Sequence, residues 1–167
     1  KEKGLDEFLT KLDIYSNQSC LVVGDGPELK YLKNKFSNNK NIKFLGRISH
    51  NKVSFFMKKA KFLVVPSIWY ENNPMTILEA FSESKPVVSS RLGGLTELVI
   101  DNKNGFLFDI ESDQEIKELF DKTSNISKHN YDVMCQNTKE FHSLTFTESI
   151  HSKKLEEIYL KTLNNSI

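Results

Sequence analysis

Cysteine is scarce in this sequence, which contains only Cys20 and Cys135. The two are far apart and lack the close spacing of a metal site. Cys20 opens an apolar run, so we expect it to be a small buried hydrophobic residue. No secretory signal or acylation motif is present, and a reducing, cytoplasmic setting is therefore expected rather than a disulfide-bonded fold.

A large charge of one sign and long hydrophobic runs are also lacking. The 167 residues carry a net charge of +1, which gives no general case for nucleic acid or an anionic membrane as partner. The longest apolar runs, such as residues 62–65, fall far short of the roughly 20 residues that span a membrane. The first residue is lysine rather than methionine, so we expect a fragment of a longer protein.

Short apolar runs alternate with segments of helical periodicity. The predicted strands are 20–23, 42–45, 62–65, 86–89 and 105–108, and the predicted helices are 3–16, 27–36, 50–59, 74–84, a short one through Val99, 112–124, 127–142 and 146–163. Strands separated by helices of about ten residues indicate a parallel sheet with right-handed crossovers. The predicted fold is one doubly wound α/β domain, 1–167, in which 112–167 form a mainly helical extension.

The segment from Pro66 to Ala80 is the most informative part of the chain, because ligands of such sheets bind beyond the carboxyl ends of the strands. Asn73 is a good N-cap and Pro74 a good first helical residue, so a helix is predicted to begin there. The free backbone N–H groups of Met75 and Thr76, with the positive end of the helix dipole, would then bind a phosphate or another anion.

Glu71 and Glu79 flank this helix start. Two carboxylates would repel a phosphate. Each can, however, accept hydrogen bonds from hydroxyl groups, and a ligand could carry such groups on both sides of its phosphate. This combination suits a nucleotide sugar, in which a diphosphate lies between ribose and hexose. Either glutamate alone would be an ordinary surface charge, and Gly24-Asp25-Gly26-Pro27 alone is a turn rather than the dinucleotide fingerprint.

An ordered series of short motifs extends this pattern over residues 3–110. The motifs are Lys3-Gly4, Val22-Val23-Gly24-Asp25-Gly26-Pro27, Ile42-Lys43-Phe44-Leu45-Gly46, Val65-Pro66-Ser67, Glu71-x7-Glu79-Ala80, Lys85-Pro86-Val87-Val88, Gly93-Gly94-Leu95-Thr96-Glu97 and Asn104-Gly105. The series resembles the C-terminal, donor-binding domain of the retaining glycosyltransferases of family 4 (group 1), which have the two-domain GT-B fold.

The resemblance implies roles for the site residues. Glu79 would bind the ribose hydroxyls of the donor and Glu71 the donor sugar. The backbone N–H groups of Met75 and Thr76 would bind the diphosphate, and the charge of Lys3 would neutralise it as it leaves. We therefore expect Glu71 and Lys3 to be catalytic.

Further donor contacts follow from the same resemblance. They lie in the loops after the first three predicted strands, at Gly24 and Gly26, at Arg47 and Ile48 near the base, and at Asn73 and Pro74. No cofactor or metal is expected, since the family works without one, and no Asp-x-Asp motif occurs. The four histidines, His50, His129, His142 and His151, have no metal spacing and are interpreted as surface or capping residues.

The sequence also departs from the family pattern. An arginine expected five residues before Lys3 would precede the chain, Ser84 stands where glycine is common, and Asn72-Asn73-Pro74 replaces a glycine-rich stretch. The N-terminal domain, which in the family carries the acceptor site, is absent from the sequence.

The predicted function is the donor-binding half of an enzyme that transfers a hexose from a UDP-, GDP- or similar nucleotide sugar to a glycan or lipid-linked acceptor. Its partners would be the missing domain and, through the full-length protein, the inner face of a membrane. A nucleotide-sugar epimerase of the same fold and a non-catalytic donor-binding subunit are alternatives. The Glu71-x7-Glu79 spacing, followed by Gly93-Gly94-x-x-Glu97, favours the transferase over the epimerase.

Overall fold

The computed structural model describes residues 2–164, in which five strands alternate with helices. The elements in chain order are α1 (Leu5–Tyr15), β1 (Cys20–Val23), α2 (Leu29–Lys35), β2 (Ile42–Gly46), α3 (His50–Lys59), β3 (Leu63–Val65), α4 (Met75–Ser82), β4 (Val87–Ser90), α5 (Leu95–Leu98), β5 (Gly105–Phe108), α6 (Asp113–Asn125), α7 (Lys128–Thr145) and α8 (Glu148–Asn164). This order confirms the predicted α/β fold. The end of the predicted extension, 165–167, lies outside the described residues.

All pairings between the named strands are parallel, as predicted. β1 pairs with β2, while β3, β4 and β5 form a second group in that order. Hydrogen bonds therefore divide the strands into two groups rather than one continuous sheet. One apolar core nevertheless joins the two groups, because it contains side chains from all five strands, among them Val22, Ile42, Val64, Val88 and Phe106.

The middle strand β4 shows why successive apolar residues, here Val87 and Val88, occur in the strands. All four of its residues are buried. Val88 packs in a core that includes α1 and α6, while its neighbour Val87 packs with α4 and α5. Successive side chains of a strand point to opposite faces, so a strand covered by helices on both sides needs apolar residues at successive positions.

The C-terminal helices follow the fifth strand. α7 packs on α4 through Phe141 and Phe81, whose ring centroids lie 5.9 Å apart. On α8 several large apolar side chains are exposed, including those of Ile158, Tyr159 and Leu163. Within residues 2–164, no helix combines the length and apolar character needed to cross a membrane.

Six predicted helix starts come one or two residues too early, and two of them, those of α4 and α2, involve a proline. α4 begins at Met75, and Pro74 occupies the N-cap position with φ −69° and ψ 112°, so Asn73 does not cap the helix. α2 begins at Leu29 rather than at Pro27, because the N–H of Leu29 closes a turn on the carbonyl of Gly26 at 3.1 Å. In both places the proline lies just outside the helix.

Candidate functional site

Loops at the carboxyl ends of the parallel strands form the candidate site. The loop of residues 66–74 joins β3 to α4, and we call it the Glu71 loop. It is held on one side by the N-terminal segment, residues 2–4, and on the other by the turn at Gly93 and Gly94.

The N-terminal segment binds the Glu71 loop through its backbone. The N–H of Ile68 donates to the carbonyl of Glu2 at 3.0 Å. Gly4 has φ +62°, and a Cβ built on it would lie 1.8 Å from the carbonyl oxygen of Pro66. Only glycine meets both demands, since it adopts positive φ freely and leaves room for the neighbouring backbone. The Lys3-Gly4 motif therefore places Lys3 beside the loop.

Glu71 is the centre of the polar contacts in this loop. Lys3 Nζ lies 2.5 Å from Glu71 Oε1, and Ser67 Oγ lies 2.9 Å from the same oxygen. The Glu71 side chain is 17% exposed. The hydrogen bond from Lys3, aided by the one from Ser67, holds the pKa of Glu71 below its ordinary value although partial burial acts in the opposite direction. The structure thus brings together the two residues that sequence predicts to be catalytic.

The glycine pair holds the other side of the loop. The N–H of Gly94 donates to the carbonyl of Glu71 at 2.9 Å, and a Cβ on Gly94 would lie 2.0 Å from the carbonyl oxygen of Asn72. Gly93 has φ +49° and lies against Tyr70. The sequence pattern singles out both glycines, but their contact with the backbone of Glu71 was not predicted.

The start of α4 follows directly after the Glu71 loop. Met75 and Thr76 are exposed, and no side chain caps their end of the helix. Their backbone N–H groups precede the first helical hydrogen bonds and, together with the helix dipole, favour an anion at this end. The helix start where the sequence predicts an anion is therefore exposed and has no side-chain cap, with Pro74 rather than Asn73 at the N-cap.

Glu79 lies in the second turn of α4 and faces a separate small cavity. The cavity has a volume of about 80 Å³, and His50, Ser54 and Glu83 also line it. Within residues 2–164, no hydrogen bond reaches the carboxylate of Glu79. The sequence interpretation missed the position of His50, since nothing near it in sequence indicates that the start of α3 meets α4.

The loops after β1 and β2 meet each other. The N–H of Gly24 donates to the carbonyl of Gly46 at 2.9 Å, and both glycines have positive φ. A Cβ on Gly24 or Gly26 would find no atom within 4 Å, so the space beside these two residues is open. Arg47 is exposed and Ile48 half-buried in the adjoining loop. No described contact joins this pair of loops to Glu71.

Comparison with known proteins identifies the family. The profile of the family described as "Glycosyl transferases group 1" matches residues 1–141. The chain belongs to this family. The match covers the strands, the Glu71 loop and α4, and it ends within α7.

Two curated relatives show how much of a complete glycosyltransferase the chain spans. It is 36% identical over 143 residues to an uncharacterized glycosyltransferase of Methanocaldococcus jannaschii, covering 84% of this chain and 40% of the relative. It is 27% identical over 168 residues to the Escherichia coli UDP-Gal:alpha-D-GlcNAc-diphosphoundecaprenol alpha-1,3-galactosyltransferase, covering 95% of this chain and 41% of that enzyme. The chain therefore spans about two fifths of the length of these relatives.

A solved structure confirms the fold of this group 1 glycosyltransferase chain. The Anabaena protein HepE, crystallised in complex with UDP-glucose, matches with a TM-score of 0.81 and 24% identity. The match covers 95% of this chain and 45% of the Anabaena protein.

Proposed function

We propose that this chain is the donor-binding part of a retaining family 4 glycosyltransferase, which transfers a hexose from a nucleoside diphosphate sugar to a glycan or lipid-linked acceptor. The observation that carries the proposal is Glu71, held by Lys3 beside the free N-terminus of α4, with Glu79 one turn further along. The family membership supports it, and so do the UDP-galactose in the name of the Escherichia coli relative and the UDP-glucose in the Anabaena structure.

The diphosphate would bind at the start of α4. The N–H groups of Met75 and Thr76 donate to its oxygens, and the helix dipole and Lys3 offset its negative charge. Charge grows on this group as the bond to the sugar breaks, so fixed donors stabilise the transition state more than the ground state. The helix dipole and Lys3 would stabilise the negative charge on the diphosphate. We propose that neither a cofactor nor a metal ion takes part.

The two glutamates would divide the remaining donor between them. Glu79 accepts hydrogen bonds from the ribose hydroxyls, while Glu71 faces the hexose at the reacting carbon. Arg47 and Ile48 would meet the base, and the open space beside Gly24 and Gly26 would admit the nucleotide backbone. We propose that a further domain supplies the acceptor site.

Calorimetric titration with UDP and GDP in the presence of EDTA tests this proposal. We expect a dissociation constant on the order of 0.1–10 mM, because half a cleft leaves the ligand solvated on one side. Glu79→Ala should weaken nucleotide diphosphate binding by about 1.5–3 kcal/mol, the cost of losing hydrogen bonds to a charged group. Glu71→Ala should leave this affinity nearly unchanged, because UDP and GDP lack the hexose that Glu71 is proposed to contact. It should slow turnover by the full-length protein, because that contact strengthens in the transition state.

The control for both variants is Glu140→Ala, which removes an exposed carboxylate on α7. It should change neither affinity nor turnover. Equal and negligible effects at Glu71 and Glu79 would contradict the proposed site, as would binding that strictly requires a divalent ion.

A further inference from the structure

Ser67 has a buried hydroxyl group between two acceptors. The residue is fully buried, and its Oγ lies 2.9 Å from Glu71 Oε1 and 3.1 Å from the carbonyl oxygen of Glu2. A serine hydroxyl carries a single proton, so it can donate a full hydrogen bond to only one of them. Which acceptor receives the proton decides whether Ser67 acts on Glu71.

The two acceptors differ in charge and in what already binds them. The Glu2 carbonyl accepts the N–H of Ile68 at 3.0 Å, so it is satisfied without the hydroxyl. Glu71 is a carboxylate, and hydrogen bonds to an ionised acceptor are roughly twice as strong as neutral ones. Ser67 therefore donates to Glu71 whenever that side chain is ionised.

The donors to Glu71 are arranged unevenly over its two oxygens. Ser67 and Lys3 both contact Oε1. Among the described residues, no hydrogen bond reaches Oε2. We propose that Ser67 is a positioning residue that, with Lys3, fixes Oε1 and thereby turns Oε2 of Glu71 toward the donor sugar; this inference rests on the proposed function.

Ser67 and Lys3 differ in how firmly they can hold the carboxylate. The Lys3 side chain is 69% exposed on a long flexible stem, whereas Ser67 is buried in the Glu71 loop, close behind β3. The proposed function also draws Lys3 toward the diphosphate when a donor binds. The hydrogen bond from Ser67 is then the contact that keeps Glu71 in place.

Few groups surround Glu71, so the effect of the Ser67 hydroxyl on its titration can be measured separately. Within residues 2–164, Lys3 is the charged group that affects its titration, and it comes from the N-terminal segment. The turn on the opposite side meets Glu71 through the N–H of Gly94. Loss of the Ser67 hydroxyl removes a hydrogen bond that favours the ionised form, so the pKa of Glu71 should rise.

The first measurement follows Glu71 directly in the full-length protein, without any ligand. Carboxyl carbons of labelled glutamate are titrated by NMR, and the Glu71 signal is assigned with Glu71→Gln. We expect Ser67→Ala to raise the pKa of Glu71 above the value measured for the wild type under the same conditions. Ser67→Cys fills the site with a slightly larger thiol group that is only a weak donor, and it should shift the pKa in the same direction.

The matched control is Ser90→Ala. Ser90 is as buried as Ser67, at the end of the neighbouring strand β4, and its hydroxyl has no partner among the described residues. The control loses the same atom without losing a hydrogen bond, so it should leave the Glu71 titration unchanged. An unchanged titration in Ser67→Ala, or an equal shift in Ser90→Ala, would overturn the inference.

The second measurement concerns the reaction. Ser67→Ala should lower kcat of the full-length protein about tenfold, with the affinity for UDP or GDP within about twofold of the wild type. A matching loss of nucleotide affinity, or an unchanged kcat in an active enzyme, would refute the positioning role. If the wild-type protein binds no nucleotide and transfers no sugar while Ser67→Ala still shifts the titration, the proposed function fails and the hold of Ser67 on Glu71 remains.

Discussion

Ser84 has a backbone conformation that serine tolerates poorly. It lies just beyond α4 with φ +57°, in the left-handed region. The N–H of Ser84 donates to the carbonyl of Phe81 at 2.9 Å and that of Lys85 to Ala80 at 2.8 Å. These two bonds form a Schellman motif, whose left-handed position is usually glycine. Glycine is common at this point in the family pattern, and the left-handed φ of Ser84 explains why.

Replacing Ser84 with glycine should stabilise the protein. The left-handed conformation costs roughly 1–2 kcal/mol for a residue with a Cβ, while glycine loses more backbone entropy, so we expect a net gain of about 0.5–1 kcal/mol. Urea denaturation gives the free energy of unfolding if the slope is unchanged. The control Ser82→Gly, inside the last helical turn, should instead lose about 0.5–1 kcal/mol. A destabilised Ser84→Gly would show that the left-handed conformation carries no strain.

Candidate site residues could be proposed from the sequence where they lie close together in the chain. Glu71, Glu79 and the start of α4 lie within one segment, and their spacing indicates a ligand with hydroxyl groups on either side of an anion. The part played by Ser67 could not be predicted in the same way, because it depends on which oxygen of Glu71 also meets Lys3, 68 positions earlier in the chain. No sequence pattern shows which carboxylate oxygen a distant lysine contacts.

At the level of elements, α1 is joined to α6 by a cluster of polar side chains. Asp113, at the first turn of α6, accepts hydrogen bonds from Lys11 and from Tyr15, whose hydroxyl lies 2.7 Å away. The bond from Lys11, followed by that from Tyr15, holds the pKa of Asp113 below its ordinary value. A carboxylate at a helix N-terminus also interacts favourably with the dipole.

Asp113→Asn should therefore lower stability in a pH-dependent way. A carboxyl group with a lowered pKa in the folded state stabilises the protein above its unfolded pKa, about 3.9, and this stabilisation is lost as the pH falls through the folded value. The thermal midpoint of the variant should lie below that of the wild type at pH 7, and the gap should close below about pH 4. Asp132→Asn, at an exposed site on α7, should show no comparable gap. If the difference in thermal midpoint persists at pH 2, the loss of stability comes from altered packing rather than from the lost charge.

Element types were easier to predict from sequence than element boundaries. Apolar runs and helical periodicity depend on burial, which the whole fold enforces at many positions. A helix start depends on the dihedral angles of one or two residues. Asn73-Pro74 has two signals that compete, because proline favours an extended residue before it, and here Pro74 itself takes the extended ψ of an N-cap. The division of the strands into two hydrogen-bonded groups has no sequence signal, since both groups share one apolar core.

At the scale of the whole molecule, the 167-residue chain should bind a nucleotide diphosphate but transfer no sugar. It spans about two fifths of the length of its relatives, and catalysis depends on holding donor and acceptor together. Purified chain would be mixed with UDP-glucose, UDP-galactose and GDP-mannose, and release of the nucleotide measured against the full-length protein. Robust turnover by the chain alone would contradict this prediction.

The backbone anchoring of the Glu71 loop has a consequence for protein engineering. The loop is fixed by the N–H of Ile68, by the N–H of Gly94 and by the close approach of Gly4, none of which depends on a side chain of the loop. The exposed side chains of Trp69, Tyr70, Asn72 and Asn73 take no part in these three backbone contacts. A library randomised at these four positions would test whether the rim of the loop can vary around a constant carboxylate, and under the proposed function it would be the place to select for altered sugar preference.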